Sequence, residues 1–174
     1  GLGLQKQVNV TTTSIKFSKF FTLDNYDKHS TGHSVQLKGS YPSKQPYNIQ
    51  SGLGYEQDFV RGYELYVVDG QSFALLKNEY RYKFASMKLA FNKRNAKTPT
   101  KQVFPVDFFV KTHLDAGYVQ DQYFNDFNTL RNKWLIGAGV GVDVLLLYDK
   151  LIRMEYSINR EKEHGFYMHL ELPF

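Results

Sequence analysis

From Phe166 to the end of the chain, every second residue is apolar: Phe166, Met168, Leu170, Leu172 and Phe174 share one parity, while Tyr167, His169 and Glu171 hold the other. Successive side chains leave a strand on opposite faces, so this period of two commits the segment to a β-strand with one greasy face and one wet face. The rule repeats upstream. Ile152, Met154, Tyr156 and Ile158 oppose Arg153, Glu155, Ser157 and Asn159, and the short Leu147–Lys150 segment reads as the hairpin turn before them. From Trp134 to Leu146, one parity is apolar throughout and the other holds Gly137, Gly139, Gly141 and Asp143.

Earlier segments follow suit. Val106, Phe108, Val110, Thr112, Leu114 and Ala116 alternate with Asp107, Phe109, Lys111, His113 and Asp115. Ala74, Leu76, Tyr80, Tyr82 and Phe84 alternate with Lys77, Glu79, Arg81 and Lys83. Val35, Leu37, Gly39 and Tyr41, with Ile15 and Phe17, mark two more candidates. The count is about seven strands, with an eighth if residues near Leu4 to Val10 pair, and no segment shows the 3.6-residue stripe of a helix.

The charged faces also fit the solvated side of a soluble β-sandwich or lipocalin-like barrel. Against that, the apolar faces run uncharged over lengths that suit membrane strands, which need roughly 9–11 residues, better than soluble ones, which average about five or six. Composition points the same way. Mean hydropathy is only −0.45, yet the 174 residues include 14 Phe and 13 Tyr. A transmembrane barrel gives that combination, because lumen-facing polar residues cancel lipid-facing apolar ones while aromatics gather at the two interfaces. No run approaches the roughly 20 apolar residues of a spanning helix.

Nothing splits the chain, so 1–174 reads as a single domain. It opens at Gly1 with neither an initiator Met nor a signal-like segment, as expected of a processed protein or an excised piece. Without Cys there is no disulfide framework or thiolate metal site. The net charge of +5 is spread along the strands instead of forming one block, so no nucleic-acid partner is expected.

Gly137-Ala138-Gly139-Val140-Gly141 lies inside a strand, not between a strand and a helix, so it is not a phosphate loop. Glycine at alternate positions instead leaves a wet face bare for something bulky to pack against. The five His residues have no carboxylate at ligand spacing, and no Ser stands in a nucleophile elbow, so neither a metal, a cofactor nor catalysis is expected.

The segment Gln45 to Glu64 contains Val60-Arg61-Gly62-Tyr63. This tetrapeptide resembles the V-R-G-[FY] signature of the BamA-like outer-membrane assembly and translocation superfamily, which sits on the tip of the sixth extracellular loop and folds back into the barrel. In that family the loop arginine pairs with an acid in an x-D-x-G motif on the thirteenth strand and is approached by a Glu on the twelfth. Leu114-Asp115-Ala116-Gly117 and Glu79 match both partners, in order, and residues 134 to 174 resemble the last three strands. Gly165, Phe166 and the terminal Phe174 match the recognition signal at the end of nascent barrels; Pro173 departs from the usual pattern beside the last residue.

The resemblance implies an antiparallel transmembrane β-barrel of which this chain supplies the C-terminal half, roughly strands ten to sixteen of sixteen. The remaining strands would come from an N-terminal portion or a second chain. It also implies a non-enzymatic function in the bacterial outer membrane: inserting nascent β-barrels or passing polypeptide across, in contact with lipid, client chains and accessory lipoproteins. A passive outer-membrane pore or surface-binding barrel is the alternative. The residues carry their own physical argument. Arg61 keeps its charge under any ordinary condition, so carrying it into a barrel requires carboxylates such as Asp115 and Glu79 to meet it.

Overall fold

The computed structural model describes residues 9–46, 50–92, 101–123, 128–146 and 150–171. These residues form seven strands: β1 (Thr11–Thr22), β2 (His29–Tyr41), β3 (Ser72–Asn92), β4 (Lys101–Gln120), β5 (Trp134–Leu145), β6 (Leu151–Asn159) and β7 (His164–Glu171). All seven lie in one antiparallel sheet in chain order, each pairing with its neighbours in sequence. No helix occurs among the described residues. The alternating segments therefore become strands where expected. Leu4–Val8, the turn residues 147–149 and the terminal 172–174, Phe174 among them, lie outside the described residues. Asn9 and Val10 belong to no strand.

Register keeps the two parities apart across the sheet. Phe17 pairs with Val35, Val35 with Leu76, Leu76 with Ala116 and Ala116 with Ile136, so this row of one face is apolar from β1 to β5. Glu79 and Lys77 pair with His113 and Asp115 on the other face, and Asp143 and Gly141 pair with Arg153 and Glu155.

Burial runs opposite to chemistry. Leu114 on the apolar face is 57% exposed and Phe166 67%, whereas Asp115 and Asp143 on the charged face are 0% exposed. The cover over the charged face is the long connection from β2 to β3. Its two arms pair at Leu53 and Val68 through backbone bonds of 3.0 and 2.8 Å. Leu53, Val60, Tyr63 and Val68 from this loop pack with Phe73, Leu75, Val119 and Leu135 into a small hydrophobic cluster at the loop end of the sheet.

The edges differ from the middle. Every residue of β1 is exposed, on both faces, and its outer edge has no partner among the described residues. Between Lys83 and Ala85 the β3–β4 register slips by one residue, making Phe84 a β-bulge. Beyond this bulge β3 and β4 run on together after β2 and β5 have ended.

Candidate functional site

Arg61 stands at the centre of the covered face. Its Nε and Nη2 donate to Asp115 Oδ2 and Oδ1 at 2.8 and 2.7 Å, the parallel fork that only a guanidinium makes with a carboxylate. Nη1 reaches Glu79 Oε2 at 3.1 Å and Glu155 Oε1 at 3.4 Å, and Nη2 also donates to the Asn78 carbonyl at 3.2 Å. The Arg61 backbone N–H donates to Asp115 Oδ2 at 3.2 Å. One side chain thus ties the loop to β3, β4 and β6.

The acids are themselves shared. Glu155 accepts Lys111 at 2.7 Å, and Lys111 also meets Asp143 at 3.2 Å. Asp143 faces Arg153 at 3.3 Å and Arg81 at 3.5 Å, and Arg81 returns to Glu79 at 2.5 Å. Within this network the acids Glu79, Asp115, Asp143 and Glu155 are matched one for one by Arg61, Arg81, Lys111 and Arg153, and Lys77 is a further cation on the face, donating to the Gln57 carbonyl of the loop. Burial works against the Arg61 charge, but Asp115 above all, then Glu155 and Glu79, outweigh it and hold its pKa above the ordinary arginine value.

Glycine makes room for the loop. A Cβ on Gly137 would overlap the carbonyl oxygen of Arg61. The bare face of β5 is therefore occupied by the loop backbone, which the alternating glycines had led us to expect only as something bulky. Gly139 leaves space for the His113 ring, and Gly141 for Lys111 and Glu155. Gly117, the glycine of the acid motif, lies beneath Val60 and Leu53, whose methyl groups would stand 2.6 and 2.7 Å from an added Cβ. Gly62 has φ of 96°, a left-handed turn that favours glycine after the arginine.

Neighbouring contacts fix the rest of the loop tip. Phe59 stacks on His169 of β7 with ring centres 5.9 Å apart, and the Lys77 ammonium lies 4.4 Å from the opposite partner of that stack, the Phe59 ring. Asn159 donates to the Gly62 carbonyl at 3.0 Å and to Glu163 at 2.9 Å, while the Tyr66 hydroxyl donates to Glu163 at 2.7 Å. Tyr63 is buried and meets Tyr66 edge-on at 5.8 Å. Nearer the loop's exit, Asp121 accepts Arg131 at 2.7 Å and Gln71 at 2.6 Å. A cavity of about 490 Å³ opens beside Arg61, bordered by Phe20, Lys77, Arg81, Arg153 and His169 among others.

The residues expected to meet do so: Val60, Arg61, Gly62 and Tyr63 lie on the loop against Asp115 and Glu79. Gly165 and Phe166 lie on β7, with Phe166 exposed on the apolar face and paired with Tyr156; they are remote from the arginine. Sequence reading missed Glu155 as a third carboxylate, and the Asn159–Glu163–Tyr66 clamp. Glu155 had one usable signal, its wet-face parity opposite the glycines of β5. The clamp had none, because its partners are 97 residues apart.

Two tests follow from this packing. Gly137→Ala forces a carbon into the backbone of the loop and should cost at least about 3 kcal/mol, the upper end for overpacking, whereas Gly117→Ala meets side chains that can turn and should cost about 1 kcal/mol. Protease cleavage within 50–71 reads the difference, and equal effects of the two variants would contradict the packing. The second concerns pH. Hydrogen bonds from Asn159 and Tyr66 hold the Glu163 carboxyl below its ordinary value of 4.5. Its contribution is thus complete above that value and disappears as pH falls through the lowered pKa. The difference in loop protection between wild type and Glu163→Gln should be widest at neutral pH and vanish in acid; a gap independent of pH would remove the clamp.

No family model matches the chain, and neither a curated protein nor a solved structure matches it.

Proposed function

We propose that this chain is the C-terminal part of an outer-membrane β-barrel that assembles other barrels into the bacterial outer membrane or passes polypeptide through it. The observation that carries the reading is Arg61, held on a loop by Asp115 and Glu79 in the order in which the V-R-G-[FY] family signature places its arginine and acids. The distribution of burial supports the membrane part. An apolar face left open over a charged, covered face is the reverse of a soluble sheet and suits strands with lipid outside and a polar lumen inside. In lipid the unpartnered edges of β1 and β7 cannot stay open, since each bare backbone group costs several kcal/mol without water. Strands from outside this chain, or from a second chain, complete the cylinder.

In this reading nothing is catalysed and no cofactor is needed. The loop enters from the outside and the arginine fixes it against β3, β4 and β6, on the side of the wall that leads to the seam. The weak junction is between β7 and the first strand of the completed barrel, where an incoming client strand is templated. Clients and accessory lipoproteins are the partners.

Arg61→Ala and Asp115→Ala each remove one side of a buried pair, a loss of up to about 3–5 kcal/mol, lessened by water in the lumen. Both should impair insertion or secretion of client proteins while leaving folded protein in the membrane. Wild-type activity in both variants refutes the latch. The protein should also stay in solution only with detergent. Free behaviour in plain buffer, with the apolar faces packed together, refutes the barrel.

A further inference from the structure

The long hairpin of β3 and β4 does something the latch and the barrel wall do not require. β2 leaves β3 at Tyr82 and β5 leaves β4 at Asp107. Past those points, among the described residues, Met87–Asn92 and Lys101–Val106 pair with each other alone. Six further residues at about 3.3 Å each project the ribbon roughly 20 Å beyond its neighbours. It leaves from the end of β3 opposite the loop that carries Arg61.

A two-stranded ribbon is marginal in water, and this one has a greasy side. Ala85 pairs with Phe108, Met87 with Val106 and Leu89 with Phe104, so those side chains share one face; Met87 is 51% exposed and Leu89 41%. That face continues the open apolar face of the sheet through Tyr82 and Phe84. Lys88 has the opposite parity. Beyond Phe84 the sequence as far as Val106 holds five Lys and Arg and no Asp or Glu. At the base, Phe84 and Phe108 lie 6.1 Å apart, and Tyr82 is 4.8 Å from His29. The bulge at Phe84 is placed where a ribbon would bend away from the wall, since a bulged strand bends and twists.

We infer that the ribbon beyond Phe84 is a docking element for the surface of an anionic phospholipid leaflet, laid along the headgroups with Met87 and Leu89 toward the acyl chains. Continuity with the lipid-facing side of the sheet favours this occupant over an acidic protein, which would have no reason to meet the same face as the wall. Lys88, of the opposite parity, is placed to reach the headgroups, as on an amphipathic element lying in a membrane interface. The inference rests on the barrel reading above.

The test uses the whole protein reconstituted in vesicles, with Trp134→Phe removing the single tryptophan and Leu89→Trp placing an indole on the ribbon. Lipids brominated along the acyl chain should quench it, more strongly in phosphatidylglycerol vesicles than in phosphatidylcholine. Lys88→Gln should lower the docking equilibrium about fivefold, the effect of one cation near an anionic surface. An indole that stays water-exposed in both vesicles overturns the proposal. So does one shielded from water yet untouched by brominated lipid, the mark of a protein cover. Leu114→Trp, on the open face in mid-sheet, separates the two readings. Quenching there but not at position 89 sinks the ribbon alone, and quenching at neither sinks the barrel with it.

Discussion

A guanidinium that cannot give up its proton is carried by a loop onto the charged face of the sheet, and the structure around it follows from that. Neutralising it takes a carboxylate in fork geometry, which Asp115 supplies from β4, and further negative charge from Glu79 and Glu155. Those acids would themselves be costly if buried alone. Lys111, Arg81 and Arg153 answer them, with Asp143 joining the three. A charged face with matched signs can be covered by a loop; one with a surplus of either sign would draw water in and push the loop out. A buried network is tolerable in this form only because nearly every member has more than one partner.

Matched charge would be insufficient without space. Side chains on β5 at positions 137, 139 and 141 would fill the volume that the loop backbone, His113 and Lys111 with Glu155 now take. The hydrophobic cluster at the loop end completes the seal. Thus the loop is held by three different means: ion pairs in the middle of the sheet, close backbone contact on β5, and apolar packing at its mouth.

The strands were legible because alternation leaves little choice. Leu114 and Asp115 cannot share a face, and the same holds along β6 and β7. Arg61, Asp115 and Glu79 could be read as partners only through the resemblance of their motifs, since nothing local links a loop to a strand 54 residues later. Alternation misled where both parities are apolar. Phe73 and Leu75 on β3, Val119 on β4 and Leu135 on β5 lie on the nominally wet face, yet are buried under the loop. Such residues look like an ordinary lapse in a period of two, and only the folded-back loop explains them. The length of the β3–β4 hairpin was equally hidden, because a pattern of alternation does not announce where the neighbouring strands stop.

Arg61 grips β3, β4 and β6, and β5 lies between the last two. Neither β1 nor β2 receives any of its bonds, and β1 is exposed throughout. The arginine thus braces the sheet like a keel from β3 to β6, while β2 meets the loop through Gln36 to Asp58 and Lys38 to Ser51 and β1 is left outermost. In the barrel proposed above, β1 is the wall strand that can shift without disturbing any bond of the ionic centre.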